Sequence, residues 1–270
     1  MVFLANIDGN WDLFVWEGGK KRPERLTKTP WDEKFPCIAP SRKLVAYSTT
    51  EGRLFLMDLE KHEMRPLDLG DYPGKWEHPA FSPDGKKLIC SYFEPEEQDR
   101  AVLAMIDIES LQVRFLFPQY GPQFSPVWSP TDSRIAYAYT HCSAACGGII
   151  QEIWMADVSK KISRQLALTH SHCLGPAWSP DGKEIAFSAD IGGNFDIWMV
   201  DVKSRELTQL TQHSALDESP AFGPDAKHVA FISTRSGKMS VWVKNLDTEK
   251  VIEFLPFEKG DIECKDLEWK

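Results

Sequence analysis

The sequence lacks the features that identify membrane proteins and the commonest enzymes. No apolar run is long enough to cross a bilayer, and no Gly-x-Ser-x-Gly elbow, P-loop or dinucleotide-binding glycine pattern occurs in the 270 residues. The first residues also lack the basic region and long apolar core of a signal peptide. We therefore expect a chain without membrane insertion, cytoplasmic as written or periplasmic if it is a trimmed mature form.

Positive charge is scarce. The 31 Lys and Arg residues are outnumbered by 40 Asp and Glu residues, which gives a net charge of -9, and the longest basic cluster is Lys20-Lys21-Arg22. A surface of this sign repels phosphate groups. The composition therefore argues against nucleic acid as a partner.

An internal repeat predicts the fold. The pattern Pro-x-aromatic-Ser/Gly-Pro begins at Pro79, Pro176 and Pro220, and weaker copies begin at Pro36 and Pro126. The core position of the repeat recurs every 43 to 50 residues, at Ile38, Phe81, Trp128, Trp178 and Phe222. That spacing is the length of a four-stranded antiparallel blade, so the sequence predicts an all-β propeller.

The two ends of the chain predict how the ring closes. The segment Ile7–Phe14 aligns without gaps with Ile191–Trp198, so the chain begins at the second strand of a blade. The last residues, 266–269, resemble the missing first strand, with Trp269 as its core aromatic. We expect one domain over residues 1–270, a monomer with six blades, in which residues 1–30 and 262–270 share the sixth.

The repeat resembles that of the TolB-type six-bladed propellers. Their signature, S-P-D-G-K-x-I-A-F followed by an I-W-x-x-D strand, is matched closely by Ser179–Phe187 and Ile197–Asp201. This resemblance implies the propeller fold. It implies less about function, because such propellers serve as docking scaffolds and also as domains of peptidases and lyases.

Cysteine and histidine residues cluster on two loops that a propeller would bring to one rim. The third blade has an insertion between Ala138 and Ile153, and the link into the fourth blade reads His-Ser-His-Cys. Candidate ligands for zinc or another divalent metal are His141, Cys142, Cys146, His170, His172 and Cys173. The alternatives are a disulfide, from Cys142 to Cys146 or from either to Cys173, and a chance grouping of loop residues.

Acidic residues precede four of the predicted innermost strands and should surround the mouth of the central tunnel. Such a ring of carboxylates would attract a cation or a basic peptide segment. Two tryptophans in the links between blades would lie on the same face. The residues expected to contact a partner are Trp31, Glu33, Trp76, Glu77, His78, Asp217, Glu218 and Glu263, with Asp32, Gln123 and Asp266 at the same mouth.

These observations favour a non-enzymatic scaffold that binds a protein or peptide through the loop-rich face around the tunnel mouth. The alternative is a metal-dependent enzyme or metal-binding module that uses the Cys/His rim. No residue is assigned a catalytic role.

Overall fold

A computed structural model describes residues 1–18, 20–97, 100–117, 121–143, 147–254, 257 and 262–270. These residues form 24 strands, numbered here in chain order, and none of them forms an α-helix. Consequently the described part of the chain contains no helix that could span a membrane.

The strands form six four-stranded antiparallel sheets, and each sheet runs from an innermost strand to an outer edge. The innermost strands are β4 (Glu33–Ile38), β8 (Lys75–Phe81), β12 (Gln123–Trp128), β16 (Cys173–Trp178), β20 (Asp217–Phe222) and β24 (Cys264–Glu268). The second strands are β1 (Val2–Ile7), β5 (Leu44–Thr49), β9 (Lys87–Phe93), β13 (Arg134–Ser143), β17 (Glu184–Ala189) and β21 (His228–Ser233).

The remaining strands complete each sheet outward. The third strands are β2 (Asn10–Val15), β6 (Leu54–Asp58), β10 (Ala101–Asp107), β14 (Gly148–Asp157), β18 (Asp196–Asp201) and β22 (Ser240–Asn245). The edge strands are β3 (Glu24–Arg25), β7 (Glu63–Pro66), β11 (Val113–Leu116), β15 (Ile162–Gln165), β19 (Leu207–Gln209) and β23 (Val251–Phe254).

The sheets are the blades of a six-bladed β-propeller. Each innermost strand contacts the innermost strands of both neighbouring blades, so the contacts close a ring. Blades 1 to 5 begin at β4, β8, β12, β16 and β20, and blade 6 joins β24 to β1, β2 and β3. Within blade 6, Leu4 pairs with Lys265 and Ala5 with Cys264. The predicted fold class and the closure of the ring by the two ends are therefore confirmed.

Alternating small and large residues on the second strands pack neighbouring blades together. Ala46, Ala136 and Ala186 are fully buried, and the large side chains Tyr47 and Tyr137 beside two of them are also fully buried. Small residues let the sheets approach closely while their large neighbours fill the space between the blades.

A β-bulge interrupts every innermost strand at the same place. In each blade the pairing register with the second strand shifts by one residue. One residue at each bulge has a positive φ of 44° to 56°; these residues are Phe35, His78, Ser125, Gly175, Ser219 and Asp266. A bulge changes the direction of the local side chain and interrupts the hydrogen bonds between strands. Six such bulges, one in each blade, therefore surround the axis.

Chain direction assigns the loops to two opposite faces. Because the strands are antiparallel, the links between blades and the hairpins that join second to third strands lie on one face, the link face. The hairpins that join first to second strands lie on the other, the turn face.

Candidate functional site

The described residues enclose two cavities that are stacked along the axis of the central tunnel. A cavity of about 340 Å³ lies near the link face and one of about 420 Å³ lies near the turn face. The residues that line both cavities form a shared waist: Pro36, Pro79, Val127, Pro176, Pro220 and Leu267. We call the cavity of about 340 Å³ the link-face cavity and the cavity of about 420 Å³ the turn-face cavity.

Three ionisable side chains line the link-face cavity: His78, Glu218 and Asp266. His78 and Asp266 are bulge residues with positive φ, and Glu218 directly precedes the bulge residue Ser219. The bulges therefore bring these residues, which are distant in sequence, to one cavity.

Two of these groups are carboxyls in a poorly hydrated setting. Burial raises the pKa of Glu218, and the neighbouring Asp266 raises it further. Burial also raises the pKa of Asp266, although its Oδ2 accepts a hydrogen bond of 3.3 Å from the backbone N–H of Phe35. Within the described residues neither carboxyl forms an ion pair with a Lys or Arg side chain. The charges of Lys265 and Lys34 partly offset the rise in the pKa of Asp266, but no Lys or Arg side chain is among the described residues that line the cavity.

The third side chain is a neutral imidazole. The ring of His78 stacks on that of Phe35, with a centroid separation of 3.7 Å, and its Nδ1 is buried without a hydrogen-bond partner in the described structure. Burial and the nearby charge of Lys34 together lower the pKa of His78 to about 3. Lys34 itself pairs with Glu77 at 2.7 Å. This pair links blades 1 and 2 and places its charges next to the stacked rings.

Other residues predicted to contact a partner are buried in the blades. Glu33 and Asp217 have no solvent-exposed surface, and Trp76 is only 3% exposed. Asp217 accepts a hydrogen bond of 2.6 Å from Ser233 and pairs with Arg235. These three side chains lie inside the blades and do not form part of the outer surface of the link face. Alternate side chains of a strand point to opposite faces of its sheet, and these three point into the packed interior.

The remaining members of the predicted set lie at the periphery. Trp31 is half-buried, and its ring stacks on Phe55 with a centroid separation of 5.9 Å. Glu263 is exposed, and its carbonyl accepts a hydrogen bond of 2.9 Å from the N–H of Asn6. Of these two, only the Glu263 side chain is freely accessible.

Two residues predicted at the same mouth make internal contacts. Asp32 accepts a hydrogen bond of 2.9 Å from the N–H of Trp11. Gln123 is buried and donates through Nε2 to the carbonyl of Phe117 at 2.9 Å.

A buried glutamate that sequence reasoning missed organises part of the predicted metal rim. His141 Nε2 lies 2.9 Å from Glu152 Oε2, while the backbone N–H groups of Thr169 and His170 both donate to Glu152 Oε1 at 2.9 Å. Glu152 has no exposed surface. Its carboxylate joins the long hairpin of blade 3 to the link into blade 4.

The other predicted ligands point to different surroundings. Cys173 is buried, and its Sγ lies 3.1 Å from Thr169 Oγ1. Burial raises the pKa of this thiol to about 12. Cys142 and His172 are exposed, and Cys146 lies outside the described residues. The described part of the chain contains no group of three His, Cys, Asp or Glu residues arranged to hold a metal ion. Both Cys142 and Cys173 are free thiols.

The tunnel-lining residues had a signal in the sequence. Each bulge residue in blades 1 to 5 directly precedes the first proline of a repeat, as Phe35 precedes Pro36 and Ser219 precedes Pro220. The sequence prediction relied mainly on the acidic residues one or two positions earlier. Leu174, which also lines the link-face cavity and is 37% exposed, was missed for the same reason.

A family model described as the TolB beta propeller domain matches residues 92–260. The chain belongs to this family. TolB from Acinetobacter baumannii is 20% identical, with a TM-score of 0.82 over 99% of this chain. This chain covers 65% of that one, less than two thirds of its length.

Two further solved structures share the fold. A putative TolB from Agrobacterium tumefaciens is 20% identical, with a TM-score of 0.73 over 86% of this chain and 84% of that one. A chain of a Nidogen/Laminin complex is 14% identical, with a TM-score of 0.73 over 97% of this chain and 96% of that one. Likeness at these identities establishes the propeller architecture alone.

Proposed function

We propose that this TolB-family propeller is a protein-binding scaffold whose link face receives a peptide segment of its partner. Its similarity to a chain of the Nidogen/Laminin complex is consistent with such a role, since that structure is of a complex between proteins. The observation that carries the proposal is the pair of carboxyls, Glu218 and Asp266, in the link-face cavity.

These carboxyls favour a cationic occupant. Burial opposes the ionisation of both carboxyls and raises the pKa of each, and the charge of Asp266 adds to this effect at Glu218. A lysine, arginine or terminal ammonium group between them would relieve both effects and form charge-assisted hydrogen bonds. The partner segment should therefore carry a basic side chain that enters the cavity.

Exposed apolar side chains on the link face supply further surface for the rest of the segment. Leu168 is 61% exposed in the link between blades 3 and 4, and Ile149 is 66% exposed near the tip of the long hairpin of blade 3. Leu174 adds an apolar side chain in the cavity wall itself. Exposed apolar groups on the same face as a cavity with few polar groups are typical of a peptide-binding face.

Quantitative capture from the host cell tests the proposal. Four baits are compared: the parent, Glu218→Gln with Asp266→Asn, Leu168→Asp, and a control, Ile252→Asp. Ile252 is 49% exposed on an edge strand away from the link face. We expect the double carboxyl variant and Leu168→Asp to lose the same captured proteins, and Ile252→Asp to retain them. The melting temperature of every bait is measured to show that it is folded.

The captured protein then identifies the segment. Synthetic peptides that tile its sequence are titrated calorimetrically against the parent, and the peptide that binds should weaken about tenfold or more when its basic residue becomes alanine. Capture that is equal for all four folded baits, or a bound peptide without a basic residue, would contradict the proposal.

A further inference from the structure

The turn-face cavity, at the opposite end of the tunnel from the proposed peptide site, has an aromatic wall. It measures about 420 Å³ and lies between the turns that join first to second strands. The aromatic side chains that line it are Phe81, Trp128, Trp178, Phe222 and Trp269. Phe81, Trp178 and Phe222 are only 3%, 8% and 4% exposed, so Trp128 and Trp269, which are half-buried, supply most of the ring surface open to a flat apolar ligand.

The charged residues at this cavity leave one positive charge without a partner. Lys270, Glu268 and Arg42 line it. Lys270 Nζ pairs with Glu268 Oε1 at 2.9 Å and donates to the carbonyl of Ile38 at 2.7 Å, and Glu268 also accepts from the Ile38 N–H. Arg42 is an exposed residue at the rim, and its guanidinium has no hydrogen bond or ion pair to a described residue. An unpaired guanidinium beside apolar walls attracts a carboxylate.

Arg42 occupies a backbone position that suits glycine. Its φ is 58°, and the matching residues of the turns in blades 2 and 4 are Gly85 and Gly182, with φ of 69° and 71°. A residue with a Cβ is disfavoured in this conformation. The matching residue of blade 5 is Ala226, with a φ of 55°, so this turn position accepts a side chain, and in blade 1 it places the arginine at the cavity rim.

We propose that the turn-face cavity binds a small planar carboxylate, with the apolar body between the tryptophan rings and the carboxylate on Arg42. The site is separate from the link-face cavity and does not depend on the proposed peptide binding. It also differs in sign, because the link-face cavity has acidic groups and this cavity has an unpaired cation.

Calorimetric titration with matched probes tests the site. Naphthalene-2-acetate is compared with its neutral amide and with 2-naphthylethylamine, which keep the ring and change the charge. We expect the carboxylate to bind about tenfold or more tightly than either of the others, as a hydrogen bond to a charged group implies. Absent binding of the carboxylate, or equal binding of the three probes, would overturn the proposal.

Two substitutions in one turn distinguish a specific contact with the Arg42 guanidinium from a general effect of positive charge. Arg42→Gly removes the side chain and suits the positive φ, so this variant should fold with an unchanged or higher melting temperature. Its affinity for naphthalene-2-acetate should fall about tenfold or more. The control, Lys43→Gln, removes an equal charge from a side chain that pairs with Glu60 and does not line the cavity. Carboxylate binding that survives Arg42→Gly, or falls equally in both variants, would refute the assignment.

Discussion

Replacing Glu33 by glutamine should remove a pH dependence of stability that originates where blade 6 joins blade 1. Glu33 begins β4, is fully buried, and contacts two threonines of the preceding link. Thr27 Oγ1 lies 3.1 Å from Glu33 Oε2 and Thr29 Oγ1 lies 2.7 Å from Glu33 Oε1. Burial raises the pKa of Glu33 from 4.5 to about 7.

Hydrogen-bond geometry supports a protonated carboxyl at this position. The Thr29 hydroxyl has one proton but lies near two acceptors, the carbonyl of Trp31 at 2.8 Å and Glu33 Oε1. If Thr29 donates to Trp31, then Glu33 must donate to Thr29, which requires a protonated carboxyl. Thr27 accepts from the N–H of Leu13 at 2.8 Å and so uses its own proton for Glu33. A glutamine can reproduce both bonds without ionising.

The magnitude follows from the difference in pKa between the folded and unfolded states. Because the folded pKa of Glu33 lies above its ordinary value, the stability it contributes is complete below about pH 4.5 and is lost as the pH rises to about 7. A rise from 4.5 to about 7 corresponds to about 3 kcal/mol of unfolding free energy. At pH 8.5 the Glu33→Gln variant should thus exceed the parent by about 3 kcal/mol, or roughly 6 to 12 °C in Tm.

Urea unfolding followed by tryptophan fluorescence from pH 4.5 to 8.5 measures this difference. The parent and Glu33→Gln should agree near pH 4.5 and diverge as the pH rises. Glu263→Gln, at an exposed acid on the same face, is the control and should track the parent. If the Glu33→Gln and parent curves ran parallel across the whole range, the buried carboxyl would not be protonated and the reasoning would be refuted.

Two further perturbations test the ring and its buried charges. Deleting residues 266–270 removes most of β24 and exposes the interior of blade 6, so the melting temperature should fall sharply; a truncated chain that melts like the parent would contradict closure by this strand. Asp217→Ala leaves the guanidinium of Arg235, 12% exposed, without its buried partner and should lower unfolding free energy by about 3 to 5 kcal/mol. Asp247→Ala, which breaks an exposed pair, should change it by less than about 1 kcal/mol.

Spacing alone did not indicate how the side chains of the predicted metal rim are oriented. His141 and His170 do come together, but they meet through Glu152, a residue of β14 that no cysteine or histidine pattern marks. Cys173 belongs to the same repeat position as Asp217 and Glu33, where side chains enter the blade. Loop proximity was predictable from the propeller, whereas the direction of each side chain depended on strand alternation and on hydrogen bonds with other segments.

The sequence by itself determined the blade count, the antiparallel order and the closure of the ring, because proline, aromatic and turn residues recur with a period and the segment Ile7–Phe14 repeats Ile191–Trp198. These features depend on local propensity and periodicity, which each repeat carries on its own. Only the tertiary structure decided which of two adjacent acids faces the tunnel. Asp217 pairs with Arg235 inside the blade while Glu218 lines the cavity, because strand alternation turns consecutive side chains to opposite faces and long-range packing decides which of the two faces the tunnel.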